Sequence, residues 1–285
     1  MTSQSSARLA IIASAVLFST GGAAIKATSF SSWQVACLRS AIAAAALLVL
    51  IPGARRAWTP RMISVAVAYA ATLVGFVMAT KLTTAANAIF LEDTAPLYLV
   101  LAGPLLLKER ARRVDLLVIA LMAAGLALFF SGAEGPTAIA PNPARGNLIG
   151  AATGITWAIT IAGLRWLSRG NDGAAALATA AIGNILAALA TLPFAWPFHA
   201  AHVTDWLAVG YLGVFQVGLA YVLLARGLRG VTALEASLLI LVEPALTPIW
   251  AGLLHGEWPG ALSALGGTLI VGATAAQLLV REEAN

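Results

Sequence analysis

Charge is what this 285-residue sequence has least of: Asp, Glu, Lys and Arg together make up 10% of it, where soluble domains carry about 25%. No water-soluble fold is expected from such a composition. A single cysteine, Cys37, excludes an intramolecular disulfide and any cysteine-based metal centre. Histidine is almost as scarce. His199, His202 and His255 fall in or beside loops, and there is no His-Glu-x-x-His pair, Gly-x-Ser-x-Gly elbow or Gly-x-x-x-x-Gly-Lys-Ser/Thr phosphate loop. These absences argue against an enzyme and against a nucleotide-driven pump, and no connecting stretch is long enough to hold a catalytic domain. His199 and His202, three apart with only Asp205 nearby, read as a solvated turn, so neither a metal nor a cofactor is expected.

What is present is apolar length. Hydrophobic residues make up 60% of the chain and the mean hydropathy is +0.88. A helix rises about 1.5 Å per residue, so a run of roughly 20 apolar residues crosses the ~30 Å hydrocarbon slab. Ten such runs are legible: Arg8–Thr28, Ser32–Ile51, Met62–Lys81, Ala85–Leu107, Val114–Gly132, Gly146–Leu167, Ala174–Ala195, Thr204–Ala225, Val231–Leu254 and Gly260–Val280. The fold class predicted is an all-α integral membrane protein of ten transmembrane helices. The first run is of full span length, and its Gly21-Gly22 is followed by Lys26 rather than by a small-residue cleavage site, so the first helix is expected to stay in the mature chain.

The basic residues set the expected orientation. With the amino terminus in the cytoplasm, the cytoplasmic segments hold thirteen cations: Arg8, Arg55, Arg56, Arg61, Lys108, Arg110, Arg112, Arg113, Arg165, Arg169, Arg226, Arg229 and Arg281. Only Lys26, Lys81 and Arg145 fall on the other side, and Arg39 falls within a span. The positive-inside rule then puts both termini in the cytoplasm of a multi-pass inner-membrane protein. It also accounts for the pI near 9.9: the cations are scattered over short loops as topology signals, and no nucleic-acid partner is expected. The partners that the sequence implies are a lipid bilayer and a small molecule, with no obligatory protein partner.

The chain also repeats itself. Ala85-Ala86-Asn87-Ala88 through Ala95-Pro96 to Lys108-Glu109-Arg110 aligns without gaps with Ala233-Leu234-Glu235-Ala236 through Glu243-Pro244 to Gly256-Glu257-Trp258. Ser14, Phe18 and Gly21 of the first span likewise fall opposite Thr153, Trp157 and Thr160 of the sixth. Because five crossings are an odd number, the second copy must be inverted, which predicts two five-helix repeats, 1–138 and 139–285. Inverted repeats build secondary transporters whose substrate site lies between the halves near the bilayer midplane.

At these residues the chain resembles the EamA-type branch of the drug/metabolite transporter superfamily. The pattern reads Ala95-Pro96, Lys108-Glu109 and Gly125 in the first half, and Glu243-Pro244, Gly256-Glu257, Gly266-Gly267 and Gly272 in the second. By size and aromatic-lined spans it is most similar to bacterial exporters of the YddG type. The resemblance implies efflux of aromatic and other amino acids by alternating access. The alternatives within that superfamily are drugs or organic cations and metabolites such as nucleotide sugars; a channel is the alternative outside it. Glu92-Asp93, two acids in mid-helix, departs from the apolar residues that the family pattern leads one to expect there.

Helical periodicity of 100° per residue offers five faces that lipid would not favour. Asn87, Leu91, Thr94 and Tyr98 line one stripe of the fourth span, and Glu235, Leu239, Glu243, Thr247 and Trp250 one of the ninth. Thr153, Trp157 and Thr160 do so on the sixth, Tyr69, Thr72, Phe76 and Thr80 on the third, and Tyr211, Phe215 and Gly218 on the eighth. The expected substrate contacts are Trp157, Glu243, Tyr98, Asn87, Thr94, Tyr69, Phe76, Thr153, Thr160, Phe18, Phe215 and Thr247. Trp33, Trp58, Trp206 and Trp258, near span ends, read as interfacial anchors. An unpaired charge at the bilayer centre costs roughly 2.5–3.5 kcal/mol on insertion scales, which singles out Glu92, Asp93, Glu235, Glu243 and Arg39. Arg39 is expected to neutralise one of those acids, Glu243 to lie on the pathway, and Glu109 and Glu257 to cap helices or steer conformational change. Pro96, Pro104, Pro244 and Pro248 invite kinks that would serve as hinges.

Overall fold

The computed structural model describes residues 3–55, 58–95, 97–98, 113–131, 135–168, 173–198, 202–227, 230 and 239–282. Arg56, Pro96, Pro104, Lys108, Glu109, Arg110, Arg112, Arg169, His199, Arg229 and Glu235 lie outside the described residues, as do the later part of the fourth span and the start of the ninth. The described residues form helices and no strand. In chain order they are α1 (Ser3–Ser19), α2 (Gly21–Lys26), α3 (Ser32–Leu50), α4 (Pro60–Leu82), α5 (Ala85–Glu92), α6 (Arg113–Ser131), α7 (Pro143–Ser168), α8 (Gly173–Ala195), α9 (Val203–Tyr211), α10 (Ala220–Gly227), α11 (Val242–His255) and α12 (Ala261–Glu282). A π-helical segment, Leu212–Leu219, joins α9 to α10. Taken as α1–α2, α3, α4, α5, α6, α7, α8, α9–π–α10, α11 and α12, these give the ten spans. Among the described residues, six runs are long and apolar enough to cross a membrane by length and composition, and shorter apolar helices, Leu117–Leu128 and Ala261–Ala276, accompany them.

Local chemistry sets the boundaries. Ser31 and Gln34 form a capping box that starts α3, and Thr59 with Pro60 at the first helical position starts α4. The Thr83-Thr84 break that separates the third and fourth spans is itself a cap, with the Thr84 hydroxyl accepting from the Asn87 amide. The first span is broken at Thr20, whose hydroxyl donates to the Leu17 carbonyl at 2.7 Å. Beyond that break, Gly22 lets α2 lie against the start of α5: a Cβ there would stand 2.7 Å from the Ala85 Cβ.

Polar side chains are sheltered among an apolar core, and many large apolar side chains face outward. Ser14, Arg39, Thr80, Asn147, Thr160 and Asn184 are buried, while Val49, Leu50, Leu148, Leu189, Leu253 and Leu254 are each more than 60% exposed. An outward face of large apolar side chains suits hydrocarbon, where polar groups must find their partners within the protein.

Packing follows a two-fold rule. The third span (α4) packs on the sixth (α7) and seventh (α8), and the eighth (π–α10) packs on the first (α1) and second (α3). The fourth (α5) packs on the sixth and ninth, the ninth (α11) on the first and fourth, the second on the seventh, and the fifth (α6) on the tenth (α12). Adding five to each span number, counted round ten, converts every one of these pairs either into itself or into another of the same set. That is the contact pattern of two inverted five-helix repeats.

Candidate functional site

One cavity collects side chains from both repeats. Phe18 of α1, Arg39 of α3, Tyr69, Thr72, Leu73 and Phe76 of α4 and Glu92 of α5 line one part of it. Trp157 of α7, Gln216 and Val217 of the π segment, Tyr221 of α10 and Glu243 of α11 line the rest. Aromatic rings frame it: Tyr221 meets Phe18 edge-on at 5.2 Å and Tyr69 edge-on at 5.3 Å between centroids. Arg39, 2% exposed, donates from Nη2 to the Leu73 carbonyl at 2.9 Å. Its Nε, Glu92 Oε2 and Gln216 Oε1 are buried and without a hydrogen-bond partner. Asp93, next to Glu92 in sequence, is within electrostatic reach of both Glu92 and Glu243.

Of the expected substrate contacts, Phe18, Tyr69, Phe76, Trp157 and Glu243 therefore come together at one cavity, and Arg39, Thr72 and Glu92, also singled out in the sequence, line it with them. The threonines among the expected contacts do something else: they bond backbone. Thr94 donates to the Leu91 carbonyl at 2.6 Å, Thr153 to Ile149 at 2.8 Å and Thr160 to Thr156 at 2.8 Å, the usual fate of a membrane-helix hydroxyl. Thr247 bonds the Glu243 carbonyl at 2.9 Å and the Ser19 carbonyl at 3.2 Å, fastening α11 to α1. Tyr98 reaches the Ala151 carbonyl at 3.3 Å. Asn87 lies at a second, smaller cavity with Thr83, Thr84, Asn147 and Ser263, where its side-chain amide donates to Asn147 Oδ1 at 3.2 Å. Phe215 is 47% exposed and stacks on Tyr211.

Two of these placements have one cause. The stripe Tyr211, Phe215, Gly218 assumes 3.6 residues per turn, but Leu212–Leu219 is a π segment, which accommodates one extra residue. The face rotates accordingly, so Gln216, Val217 and Tyr221 meet the cavity while Phe215 turns outward. Uniform α-helical periodicity misses Gln216 and Tyr221 for that reason. The expected pairing of Arg39 with an acid also takes another form: among the described residues no carboxylate is within ion-pair distance of it, and its bonded partner is a backbone carbonyl.

The end of the bundle that carries Lys26 and Lys81 is fastened by buried charge. Lys26 Nζ lies 2.7 Å from Glu257 Oε2, with both side chains under 5% exposed, and it also donates to the Thr83 carbonyl at 2.8 Å and to the Ile139 carbonyl. Glu257 accepts in turn from the Ala85 amide, capping α5 from a different span. Gly256, at φ 65°, turns the chain out of α11 and leads it into Glu257. Lys81 donates to the Thr28 carbonyl at 2.7 Å, and Asp205 accepts from the Ser29 amide and hydroxyl, both at 2.7 Å. The loops after the first, third, fifth, seventh and ninth spans thus meet at one end, as a ten-span chain requires. Among the described residues no group of three His, Cys, Asp or Glu side chains is arranged to hold a metal.

The ten membrane helices thus enclose one aromatic-framed cavity lined by a guanidinium, two carboxyls and an amide. Residues 5–131 and, separately, 144–278 match the EamA-like transporter family, and the chain belongs to it. A solved structure described as "Crystal structure of protein" is similar in fold, with a TM-score of 0.64 at 24% identity over 99% of this chain and 100% of the other. No curated protein matches the sequence. The protein is a multi-pass membrane transporter of small molecules.

Proposed function

We propose that the protein exports amino acids, aromatic ones among them, across the bacterial inner membrane by alternating access between halves 1–138 and 139–285, with both termini in the cytoplasm. One observation carries this reading: a single cavity between the repeats offers a guanidinium, two carboxyls and several aromatic rings. A zwitterion needs both signs of charge, and an apolar or aromatic side chain gains from ring contacts worth about 0.5–1.5 kcal/mol each. Phe18, Tyr69, Phe76 and Trp157 would receive the side chain and Glu243 would contribute charge, while Tyr98, Asn87, Thr94, Thr153, Thr160, Phe215 and Thr247 would position helices. Phosphorylated or nucleotide substrates fit less well, because anions favour several cations and, among the described residues, Arg39 is the one cation that lines the cavity. Organic cations are the second reading, favoured by two cavity carboxyls against one guanidinium.

Purified protein in liposomes tests the proposal. Saturable uptake of labelled phenylalanine, accelerated by unlabelled amino acid on the opposite side, is the expected outcome. Uptake of organic cations alone would favour the second reading, and single-channel conductance would replace both with a pore.

A further inference from the structure

Arg39 stands out among the cavity's side chains. A guanidinium carries five N–H donors, and burying one with donors unused is costly unless something accepts them. Arg39 is 2% exposed in the second span, yet it has a backbone bond from Nη2 to Leu73, an unpartnered Nε, and no described carboxylate within ion-pair distance. The Leu73 bond holds the head group on α4 at the cavity wall, which both residues line.

Acceptors with unused capacity lie on other walls of the same cavity. Glu92 Oε2 on α5 and Gln216 Oε1 on the π segment are buried and unpartnered, and Glu92 is within electrostatic reach of Arg39. An α-amino acid has a carboxylate and an ammonium one carbon apart, so its two binders must be near each other without neutralising each other directly. Arg39 and Glu92 meet that condition. A helix-borne guanidinium also presents the fork that matches a carboxylate.

We propose that Arg39 binds the α-carboxylate of the cargo, with Glu92 and Gln216 accepting from its α-ammonium, so that recognition of the backbone is separated from the aromatic wall that receives the side chain. This rests on the amino-acid reading above. It makes the cavity selective for the zwitterionic head and tolerant of what the head carries.

Three probes sharing one side chain separate the head-group contacts: L-phenylalanine, phenethylamine, which lacks the carboxylate, and 3-phenylpropionate, which lacks the ammonium. In liposome flux and in binding to purified protein, Arg39→Gln is expected to weaken phenylalanine by about tenfold or more, the scale of a lost charged hydrogen bond, and to leave phenethylamine nearly unchanged. Glu92→Gln is expected to weaken phenylalanine and to leave 3-phenylpropionate unweakened. Arg39→Lys, which keeps the charge, is expected to recover part of the loss and guards against an Arg39→Gln protein that fails to fold. Equal losses for all three probes, or lysine no better than glutamine in a folded protein, would show a scaffold role and overturn the proposal. Phenylalanine handled normally by Arg39→Gln would overturn it too, leaving the amino-acid reading intact. Wild-type protein that carries phenethylamine but not phenylalanine would instead sink the amino-acid reading itself.

Discussion

At the scale of single residues, position along a span proved more informative than residue type. Trp157 and Phe18, marked in the sequence by falling opposite one another in the repeat, both line the cavity. The hydroxyls on the same stripes bond carbonyls three or four residues back, a choice that depends on rotamers and leaves no trace in periodicity. Removing the Trp157 ring should weaken phenylalanine transport several-fold, since a stacking contact is worth about 1 kcal/mol, while the folded protein persists. Trp157→Ala protein with unchanged apparent affinity and rate would take that residue out of the site. Glu243 admits a sharper test. It lines the cavity with Asp93 and Glu92 in electrostatic reach, so three carboxyls share one region with one guanidinium. Glu243→Gln preserves shape and hydrogen bonding; it should fold and should flatten any dependence of flux on pH. Wild-type flux at every pH would move the role to Glu92 or Asp93.

Among elements, the periodic helices were legible and their interruptions were not. Apart from the end of the fourth span and the start of the ninth, which lie outside the described residues, span ends agree with the apolar runs to within about five residues, because hydrocarbon thickness and capping residues set both. The π segment at Leu212–Leu219 was invisible, since it arises from packing and carries no composition of its own. The fastening of span ends was half legible: Glu257 reads as a capping residue from its place after Gly256, but that it caps α5 of the other repeat while paired with Lys26 is a tertiary fact. Removing one partner from a buried pair costs about 3–5 kcal/mol, because the other charge is left without compensation. Glu257→Gln should therefore lower thermal stability in detergent markedly, and adding Lys26→Met should recover part of the loss. If the single and double variants melt like the wild type, the pair contributes nothing to holding these ends together. Gly22→Leu bears on the same junction. Even a Cβ at Gly22 would stand 2.7 Å from that of Ala85, so separation of α2 from α5 and a loss of about 1–3 kcal/mol are expected.

For the whole molecule, the repeat seen in the sequence and the packing seen in the structure are separate observations with the same symmetry. The sequence repeat rests on short aligned stretches, whereas the packing rule holds for the helix pairs named above and relates each span to the one five further on. Inversion then makes a prediction that neither observation tests alone. The loops after odd-numbered spans gather at the end fastened by Lys26 and Lys81, the end that the cation bias predicts to be external. A single cysteine introduced by Pro141→Cys, in an exposed loop of that end, should react with a membrane-impermeant maleimide added to intact cells. One introduced by Trp58→Cys, 48% exposed at the opposite end, should react only after the membrane is opened. Both belong in a Cys37→Ala background, although Cys37 is buried, so that every signal is assigned. If the two positions react from the same side, the ten-span order fails. If they react with sides exchanged, the helix order stands but the cytoplasmic termini do not, and export would then have to be re-read as transport through an oppositely oriented carrier.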